Sequence, residues 1–388
     1  MTLLHGIPVP AVDYSGALSV LYSLGGVSVI CSAGSCGRSY ACVDEFRRLP
    51  GDKLYTTKMK MLHVIMGDND VCETVIRASF PETPSFVALL GSPVPSMIGM
   101  DLGREAKRIE EKLKIPTLWI NCDGFHCYTE GVASALDALG RKFLKKQESV
   151  QKSVNLIGYS PFCHGSQKEL EPVRKLIADS SVRIMCDWSK EEDAYRLADS
   201  TRAALNLVLS ESGTALAEYM KAEYGIPYEM ICPAGNYGLH QLENILQKRF
   251  QVSVPCPETV LTGKKDEHTD VIVIGEALFA QAVSRMFRND LGYERAAAVC
   301  CETFFSAGKL RERFPQVRFA DFEELKKMLF HLPEQSVVAG DVFFRRFASE
   351  QVKFVEIPNH GLSGNLFASL PWVGEFGILN IKKQLKEK

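Results

Sequence analysis

The sequence predicts an α/β protein made of three parallel-sheet units. Two features of the chain indicate this fold class. Short runs of β-branched and aliphatic residues alternate with longer windows in which apolar residues recur at a period of about 3.6. The chain also has 388 residues, more than one ordinary hydrophobic core accommodates. Repeated alternation of strand and helix places the strands in parallel, with helices on both faces of each sheet.

The N-terminal part predicts a helix followed by a strand. Apolar residues from Ala17 to Leu24 mark the helix, Gly25 and Gly26 end it, and Val27–Ile30 is rich in β-branched residues. Further strands are predicted, in chain order, at Ser85–Leu90, Thr117–Cys122, Val154–Gly158, Val182–Cys186, Ala204–Leu209, Tyr228–Cys232, Val271–Gly275, Ala297–Cys301, Val337–Gly340 and Phe354–Ile357.

Helices are predicted in the windows between these strands. Leu102–Leu113 and Val132–Phe143 each carry their apolar residues on one helical face. Ser189 and Glu192 have the spacing of a capping box, which predicts the start of a helix. Gly225 predicts the end of another.

Charged and proline-rich stretches mark the predicted domain boundaries. The charged stretch Lys142–Lys152 closes the first unit, and Val252–Pro257 is typical of a linker. We therefore expect domains at residues 1–150, 151–255 and 256–388, the last with a closing helix.

Composition narrows the classes of protein to which the chain belongs. A net charge of −2 gives no general attraction to nucleic acid or to an anionic membrane. No apolar run approaches the roughly 18 residues that a membrane span needs, and the N-terminus lacks the pattern of an export signal. We expect a cytoplasmic protein. Its 12 cysteines are then reduced, and such a number favours an anaerobic source.

The third unit opens with a strand–turn–helix pattern that resembles a nucleotide site only superficially. The turn holds a single glycine, Gly275, whereas the dinucleotide fingerprint has three. Gly263 and Lys264 lack the spacing of a phosphate-binding loop. The sequence therefore predicts no nucleotide site in this chain.

Cysteines follow the predicted strands in a regular way. Ligands bind at the carboxyl ends of parallel strands, so these thiols can face one cleft. They can equally be core residues, because free cysteine is among the most buried residue types. Cys36 differs, since it lies in a glycine- and serine-rich loop that lets the backbone approach a bulky group. The thiols at or beyond strand ends are Cys31, Cys122, Cys163, Cys186 and Cys232.

Several short motifs resemble those of one family in order and spacing. They cover nearly the whole chain and identify it as similar to the nitrogenase component 1 family. That family includes the molybdenum–iron protein subunits, cofactor scaffolds, and the protochlorophyllide and F430-pathway reductases. The matching segments are Gly16–Ala17, Cys36, Met66–Asp70, Gly91–Asp101, Pro116–Phe125, Tyr224–Tyr228 and Pro371–Asn380.

The resemblance implies an architecture and a set of partners. It implies three Rossmann-like domains around a central cleft, and a dimer of like subunits that is either homomeric or heteromeric. It also implies an iron–sulfur cluster near the subunit interface, of the 4Fe–4S type. Electrons would come from a separate ATP-dependent iron–sulfur reductase protein, and a small-molecule or tetrapyrrole-like ligand would occupy the cleft.

This chain departs from the family at several ligand positions. Only Cys36 matches a cluster ligand. The other two cluster cysteines of the family fall near Val12 and near Ser92 or Pro93. The cysteine and histidine that hold the large nitrogenase cofactor fall near Leu209 and Val373.

Three functional interpretations follow from the resemblance and from the ligand positions at which this chain departs from the family. In the first, the chain is an iron–sulfur-dependent oxidoreductase subunit. Cys36, Cys122 and Cys163 are then the first candidate metal ligands, and Cys31, Cys42 and Cys127 are further candidates. Reduction by several electrons also needs protons, and His126 and His164 are candidate general acids because each stands in a strand-end loop beside a cysteine.

The other two interpretations are not catalytic. In the second, the chain is a scaffold for a metallocluster or a tetrapyrrole, with its cysteines and His126, His164 and His360 as transient soft ligands. In the third, it is the structural half of a heterodimer and its cysteines belong to the core. The sequence does not decide whether Cys31 faces the cleft or the core, because a one-residue slip in a strand exchanges its faces.

Overall fold

The computed structural model describes residues 11–33, 53–66, 71–78, 83–190, 193–252, 265–301, 308–357, 359 and 371–386. Within these residues thirteen strands form three sheets, and every strand pair is parallel. This confirms the predicted fold class of three Rossmann-like units around a central cleft. No helix in the described ranges is both long and apolar enough to cross a membrane.

The first sheet has the strand order β2-β1-β3-β4. Its strands are β1 (Val27–Ile30), β2 (Leu54–Thr56), β3 (Val87–Leu90) and β4 (Thr117–Ile120). Its helices are α1 (Asp13–Leu21), α2 (Met61–Met66), α3 (Val71–Ile76), α4 (Pro93–Met97), α5 (Leu102–Leu113) and α6 (Tyr128–Phe143).

The middle sheet has the order β6-β5-β7-β8. Its strands are β5 (Ser153–Ile157), β6 (Arg183–Asp187), β7 (Leu205–Val208) and β8 (Tyr228–Met230). Its α-helices are α7 (Pro161–His164), α8 (Glu171–Asp179), α9 (Thr214–Tyr224) and α10 (Gly235–Phe250). Short 3-10 helices span Gln167–Leu170, Ala194–Arg202 and Glu211–Gly213.

The third sheet has the order β11-β10-β9-β12-β13. Its strands are β9 (Val271–Ile274), β10 (Ala296–Cys301), β11 (Val317–Ala320), β12 (Val337–Gly340) and β13 (Lys353–Glu356). Its helices are α11 (Ala277–Asn289), α12 (Gly308–Arg313), α13 (Phe322–Phe330), the 3-10 helix Val342–Phe347, and the closing helix α14 (Gly374–Lys386).

The predicted strands are all present, and their ends shift by one or two residues. Two strands, β2 and β11, have no counterpart in the prediction because neither is a continuous apolar run. The predicted capping box pairs Ser189 with Glu192, which lies outside the described residues. The Ser189 hydroxyl donates to Asp187, and the 3-10 helix that follows is capped by Asp193, whose carboxylate accepts the Tyr195 N–H. Gly225 ends α9 in the left-handed conformation, as predicted.

Each sheet reverses its strand order at one point, and these points locate the functional cleft. The reversals lie between β1 and β3, between β5 and β7, and between β9 and β12. In open parallel sheets a crevice forms at the carboxyl ends of the strands on either side of such a reversal. The loops after β5, β7 and β9 therefore meet where the middle and third sheets face each other.

Candidate functional site

A cavity of about 600 Å³ lies where the three units meet, and we call it the central cavity. Titratable side chains line it from all three units. His126 and Glu130 come from the first unit, Glu211 and Glu218 from the middle unit, and Arg313 from the third. Its size is that of a small-molecule site.

The loop that carries His126 is held in place by the start of α1. The buried carboxylate of Asp13 accepts hydrogen bonds from the backbone N–H groups of Asp123 and Gly124, both at 2.9 Å. Gly124 has φ +76°, and a Cβ there would lie 2.8 Å from the Pro93 ring. Only glycine makes this turn without strain. The Gly-Phe loop that the sequence singled out is thus a rigid support for His126.

His126 is an exposed histidine whose surroundings favour its protonated form. Its Nδ1 lies 2.9 Å from Asp123 Oδ1, and its side chain is more than half exposed. The hydrogen bond to Asp123 raises the pKa of His126. Asp13, Asp123 and His126 are also the one group among the described residues whose donor atoms lie close enough to share a metal ion. Backbone groups already occupy the Asp13 carboxylate, so the group anchors a loop.

Two buried glutamates meet beside the central cavity. Glu211 follows β7 and Glu276 follows β9, and both are about 2% exposed. Burial raises the pKa of each, and that of Glu276 most, because it also faces Glu211. As carboxylates, neither residue would have a partner for its Oε2 atom. A proton on Glu276 turns it into a donor to Glu211, so a single proton is enough to pair the two carboxyl groups.

Glu211 also joins the middle unit to the third. Its Oε1 accepts a hydrogen bond from the backbone N–H of Leu278, in the first turn of α11. This contact explains why Glu211 is the more acidic member of the pair: the N-terminus of a helix stabilises negative charge.

His164 lies against this pair and is neutral. Its Nε2 is 3.5 Å from Glu276 Oε1, and its Nδ1 accepts the Ser160 N–H. Burial lowers the pKa of His164 to about 4. Tyr159 and Phe279 pack on its ring. His164 does not line the central cavity.

The described thiols are packed into the protein interior. Cys31 directly follows β1 and lies on the same side of the first sheet as Val27 and Val29. It therefore belongs to the core on that side. Cys122 lies in the core on the other side, and it also touches the central cavity. Burial raises the pKa of Cys31 to about 12 and raises that of Cys122 as well.

Two further predicted ligands have local partners. The Cys127 thiol donates to Glu130 Oε2 at 3.2 Å, and the two residues cap α6. Cys163 is fully enclosed next to Glu276, and burial raises its pKa. Among the described residues, no group of three or more cysteines has its Sγ atoms close enough to share a metal ion. Cys36, Cys42 and His360 lie outside the described residues.

At the positions where the family carries its other ligands, this chain has residues that make structural contacts within the fold. Val12 forms a backbone bridge with Cys127, and Ser92 Oγ donates to the carbonyl of Cys31 at 2.7 Å. Leu209 and Val373 are buried at 3% and 2% exposure. None of these four side chains offers a free ligand atom, so the large nitrogenase cofactor does not fit in its usual attachment.

The sequence matches the family model of the nitrogenase component 1 type oxidoreductases over residues 13–357. The chain belongs to this family. Its fold is also that of a solved nitrogenase, Cp1 at pH 6.5, with a TM-score of 0.74 and 13% identity, covering 100% of this chain and 93% of the other. The resemblance drawn from the sequence motifs is confirmed.

Two curated members of the nitrogenase component 1 type family show where this chain is most similar. A light-independent protochlorophyllide reductase subunit of Synechocystis sp. is 22% identical over 260 residues, which cover 57% of this chain and 50% of that protein. The nitrogenase iron-molybdenum cofactor biosynthesis protein NifE of Methanosarcina barkeri is 24% identical over 189 residues, covering 45% and 40%. The chain thus spans about half the length of the curated relatives it matches.

The glutamate pair was missed by the sequence analysis although a signal for it exists. Glu211 and Glu276 each stand two or three residues beyond the end of a strand, as the cysteines do. Carboxylates at strand ends point to the crevice as thiols and histidines do, and this signal places both glutamates there.

Proposed function

We propose that this chain is a catalytic subunit of a nitrogenase-like oxidoreductase whose small organic substrate binds in the central cavity. The observation that carries the proposal is the convergence of His126, Glu130 and Glu211 on one cavity at the junction of the three units. A pocket with titratable groups of shifted pKa at the carboxyl ends of parallel strands is the usual form of an active site in this fold class.

Protons for the reduction come from the chain's own residues in this proposal. The hydrogen bond to Asp123 raises the pKa of His126 and so favours its protonated form, and its exposed ring can donate that proton to a bound substrate. The Glu211–Glu276 pair stores a second proton behind the cavity wall, where Glu211 reaches the cavity. His164, which is neutral and enclosed, positions Glu276 and does not act as an acid.

The iron–sulfur dependence that we propose rests on Cys36 and on a second subunit. Because the described thiols are buried or bonded within the fold, we propose that the ligands beyond Cys36 come from a like subunit or from cysteines outside the described residues, such as Cys42. An ATP-dependent iron–sulfur reductase protein is the proposed electron donor, by analogy with the family.

An apolar patch supports pairing with a like subunit. Met97 and Phe125 are exposed by 79% and 62%. The helix that ends at Met97 and the loop that carries Phe125 approach each other at Pro93 and Gly124, next to a family cluster position. Large apolar side chains exposed to this extent are what we would expect at an interface with a like subunit.

The substrate class that we propose is tetrapyrrole-like. A relative in the family is named a protochlorophyllide reductase subunit, and the central cavity has the volume and mixed polar and apolar lining of an organic-ligand site. As a test, Ala215→Trp, which fills the cavity, should abolish the absorbance shift of added protochlorophyllide. Ala222→Trp lies on the same helix away from the cavity and should leave the shift intact. Equal shifts in both variants would exclude this cavity as the binding site.

Two observations favour a second function. The described thiols are buried, and residues that are not ligands stand where the family carries its ligands, namely Ser92, Leu209 and Val373. In that alternative the chain is a non-catalytic scaffold for a metallocluster or a tetrapyrrole, or the structural subunit of a heterodimer. The similarity to NifE, a cofactor biosynthesis protein, points the same way.

Iron and acid-labile sulfide measured after anoxic purification separate the two functions. A catalytic subunit should contain stoichiometric iron, and Cys36→Ala should remove it. Cys186→Ala, a buried cysteine that is not proposed as a ligand, should retain it. Folded, dimeric protein without iron would overturn the catalytic proposal and support the alternative.

A further inference from the structure

A second cavity, of about 480 Å³, lies between the middle and third units, and we call it the arginine cavity. Two adjacent helices form its floor. Tyr237 and Gln241 face it from successive turns of α10, and Gln281 and Arg285 face it from successive turns of α11. Residues four apart lie on one helical face, so both helices direct polar side chains to the same space.

Several polar groups that line the arginine cavity have no protein partner in the described part of the chain. No hydrogen bond or ion pair engages the guanidinium of Arg285, the amides of Gln241 and Gln281, or the hydroxyl of Tyr237. Gln316, from the segment before β11, is in the same state. Half-buried donors that converge without partners are arranged to bind water or a ligand.

The charges of the side chains that line the arginine cavity favour an anion over other ligands. Arg285 and Arg313 both line the cavity. Arg313 is bonded to Glu218 at 2.8 Å, whereas Arg285 has no counter-ion among the described residues. Glu229 also lines the cavity, but it forms no ion pair with either arginine. A guanidinium binds carboxylate or phosphate oxygens through two parallel hydrogen bonds, and glutamine amides supply further donors.

We propose that the arginine cavity is a binding site for a small carboxylate- or phosphate-bearing molecule, held chiefly by Arg285. This inference does not depend on the proposed function. The arginine cavity differs from the central cavity in its lining and in its charge. Arg313 lines both cavities, whereas Leu278, in the first turn of α11, lines the arginine cavity alone. Because Glu218 lines the central cavity, an anion that draws Arg313 away from Glu218 changes the charge there. The site thus offers a route by which an anion affects the central cavity.

Calorimetric titration of the full chain with citrate and with inorganic phosphate, at fixed ionic strength, tests the proposal. At least one anion should bind to the wild type. Arg285→Gln should weaken that binding by at least about tenfold, because it removes a charge-assisted contact. Arg288→Gln removes the same charge from the exposed side of α11, outside the cavity, and should bind as the wild type does.

The two anions also separate the sources of the ligand. Binding of citrate alone indicates an organic carboxylate, and binding of phosphate alone indicates a phosphate ester. Gln281→Ala keeps every charge, and it should weaken binding even if Arg285→Gln fails to fold. Absence of binding by both anions, or equal weakening in Arg285→Gln and Arg288→Gln, would overturn the proposal.

Discussion

At the scale of single residues, the candidate site is governed by burial and by short-range partners of titratable groups. The pKa of His126, which is exposed, is raised by its hydrogen bond to Asp123, whereas the pKa of the enclosed His164 is lowered by burial. The two histidines look alike in the sequence, since each stands beside a cysteine in a strand-end loop. Their surroundings shift their pKa values in opposite directions.

The glutamate pair predicts a pH dependence of stability. The raised folded-state pKa values mean that the folded protein binds protons more tightly than the unfolded chain, so this contribution to stability falls as pH rises through them. Glu276→Gln keeps a donor to Glu211 and removes the titration. Its unfolding free energy should change less than that of the wild type between about pH 5 and about pH 8.

Chemical denaturation at several pH values measures this effect. Glu312→Gln, an exposed glutamate in α12, is the control and should follow the wild type. If Glu276→Gln also follows the wild type, the pair does not share a proton.

Asp123 should set the pKa of His126. Asp123→Asn removes the charge and weakens the hydrogen bond, so the His126 pKa should fall towards the ordinary value of 6.5. A pH titration of the histidine ring signals by NMR gives the value directly. Asp199→Asn, a partly exposed aspartate of the middle unit, should leave it unchanged, and a His126 pKa that is insensitive to Asp123 would contradict the assignment.

At the scale of elements, two helices that line the central cavity, α1 and α6, pack closely against each other. α1 and α6 cross at glycines: a Cβ on Gly16 would lie 1.9 Å from the Tyr128 carbonyl oxygen, and one on Gly131 would lie 1.7 Å from that of Asp13. Backbone therefore packs on backbone. This close approach brings Asp13 to the loop that carries His126, which accounts for the Gly16–Ala17 motif in physical terms.

Gly131→Ala should force the two helices apart. A methyl group against backbone atoms cannot be relieved by a rotamer change, so we expect a loss of at least about 1–3 kcal/mol in unfolding free energy. Ser134→Ala, on the same helix, should change stability by less than about 1 kcal/mol. Thermal and denaturant unfolding compare the two. Equal stabilities would show that the helices can separate without cost.

At the scale of the whole molecule, the C-terminal segment holds the middle and third units together. Trp372 packs edge-on against Phe279 of the third unit, and its Nε1 donates to the His164 carbonyl of the middle unit at 2.7 Å. The helix α14 that follows packs against both α10 and β13. This junction lies directly over the glutamate pair.

Trp372→Phe should loosen that junction. It keeps most of the ring and removes one buried hydrogen bond, at a cost of about 0.5–1.5 kcal/mol. Trp188→Phe removes a similar bond, to Ser200, but within the middle unit alone. Hydrogen exchange followed by mass spectrometry should show faster exchange in α11 and α14 for Trp372→Phe only. Identical exchange in the two variants would contradict a bridging role.

The sequence by itself determined the fold class, most of the strand positions and the family, because each depends on patterns that are local in the chain. Strand and helix periods are read within ten or so residues, and motifs such as Gly16–Ala17 keep their spacing. It also placed His126 in a loop at a strand end. The domain boundaries, and the role of Cys36 as a ligand, stay predictions.

Only the tertiary structure decided which side chains meet. Cys31 and Cys122 follow similar strands, yet alternation places them in different cores on opposite faces of one sheet. Glu211 and Glu276 come from different sheets, and they become partners only because the strand-order reversals of those sheets face each other. Burial and pairing of this kind depend on contacts between residues far apart in the chain, and those contacts also set the protonation states on which the proposed chemistry rests.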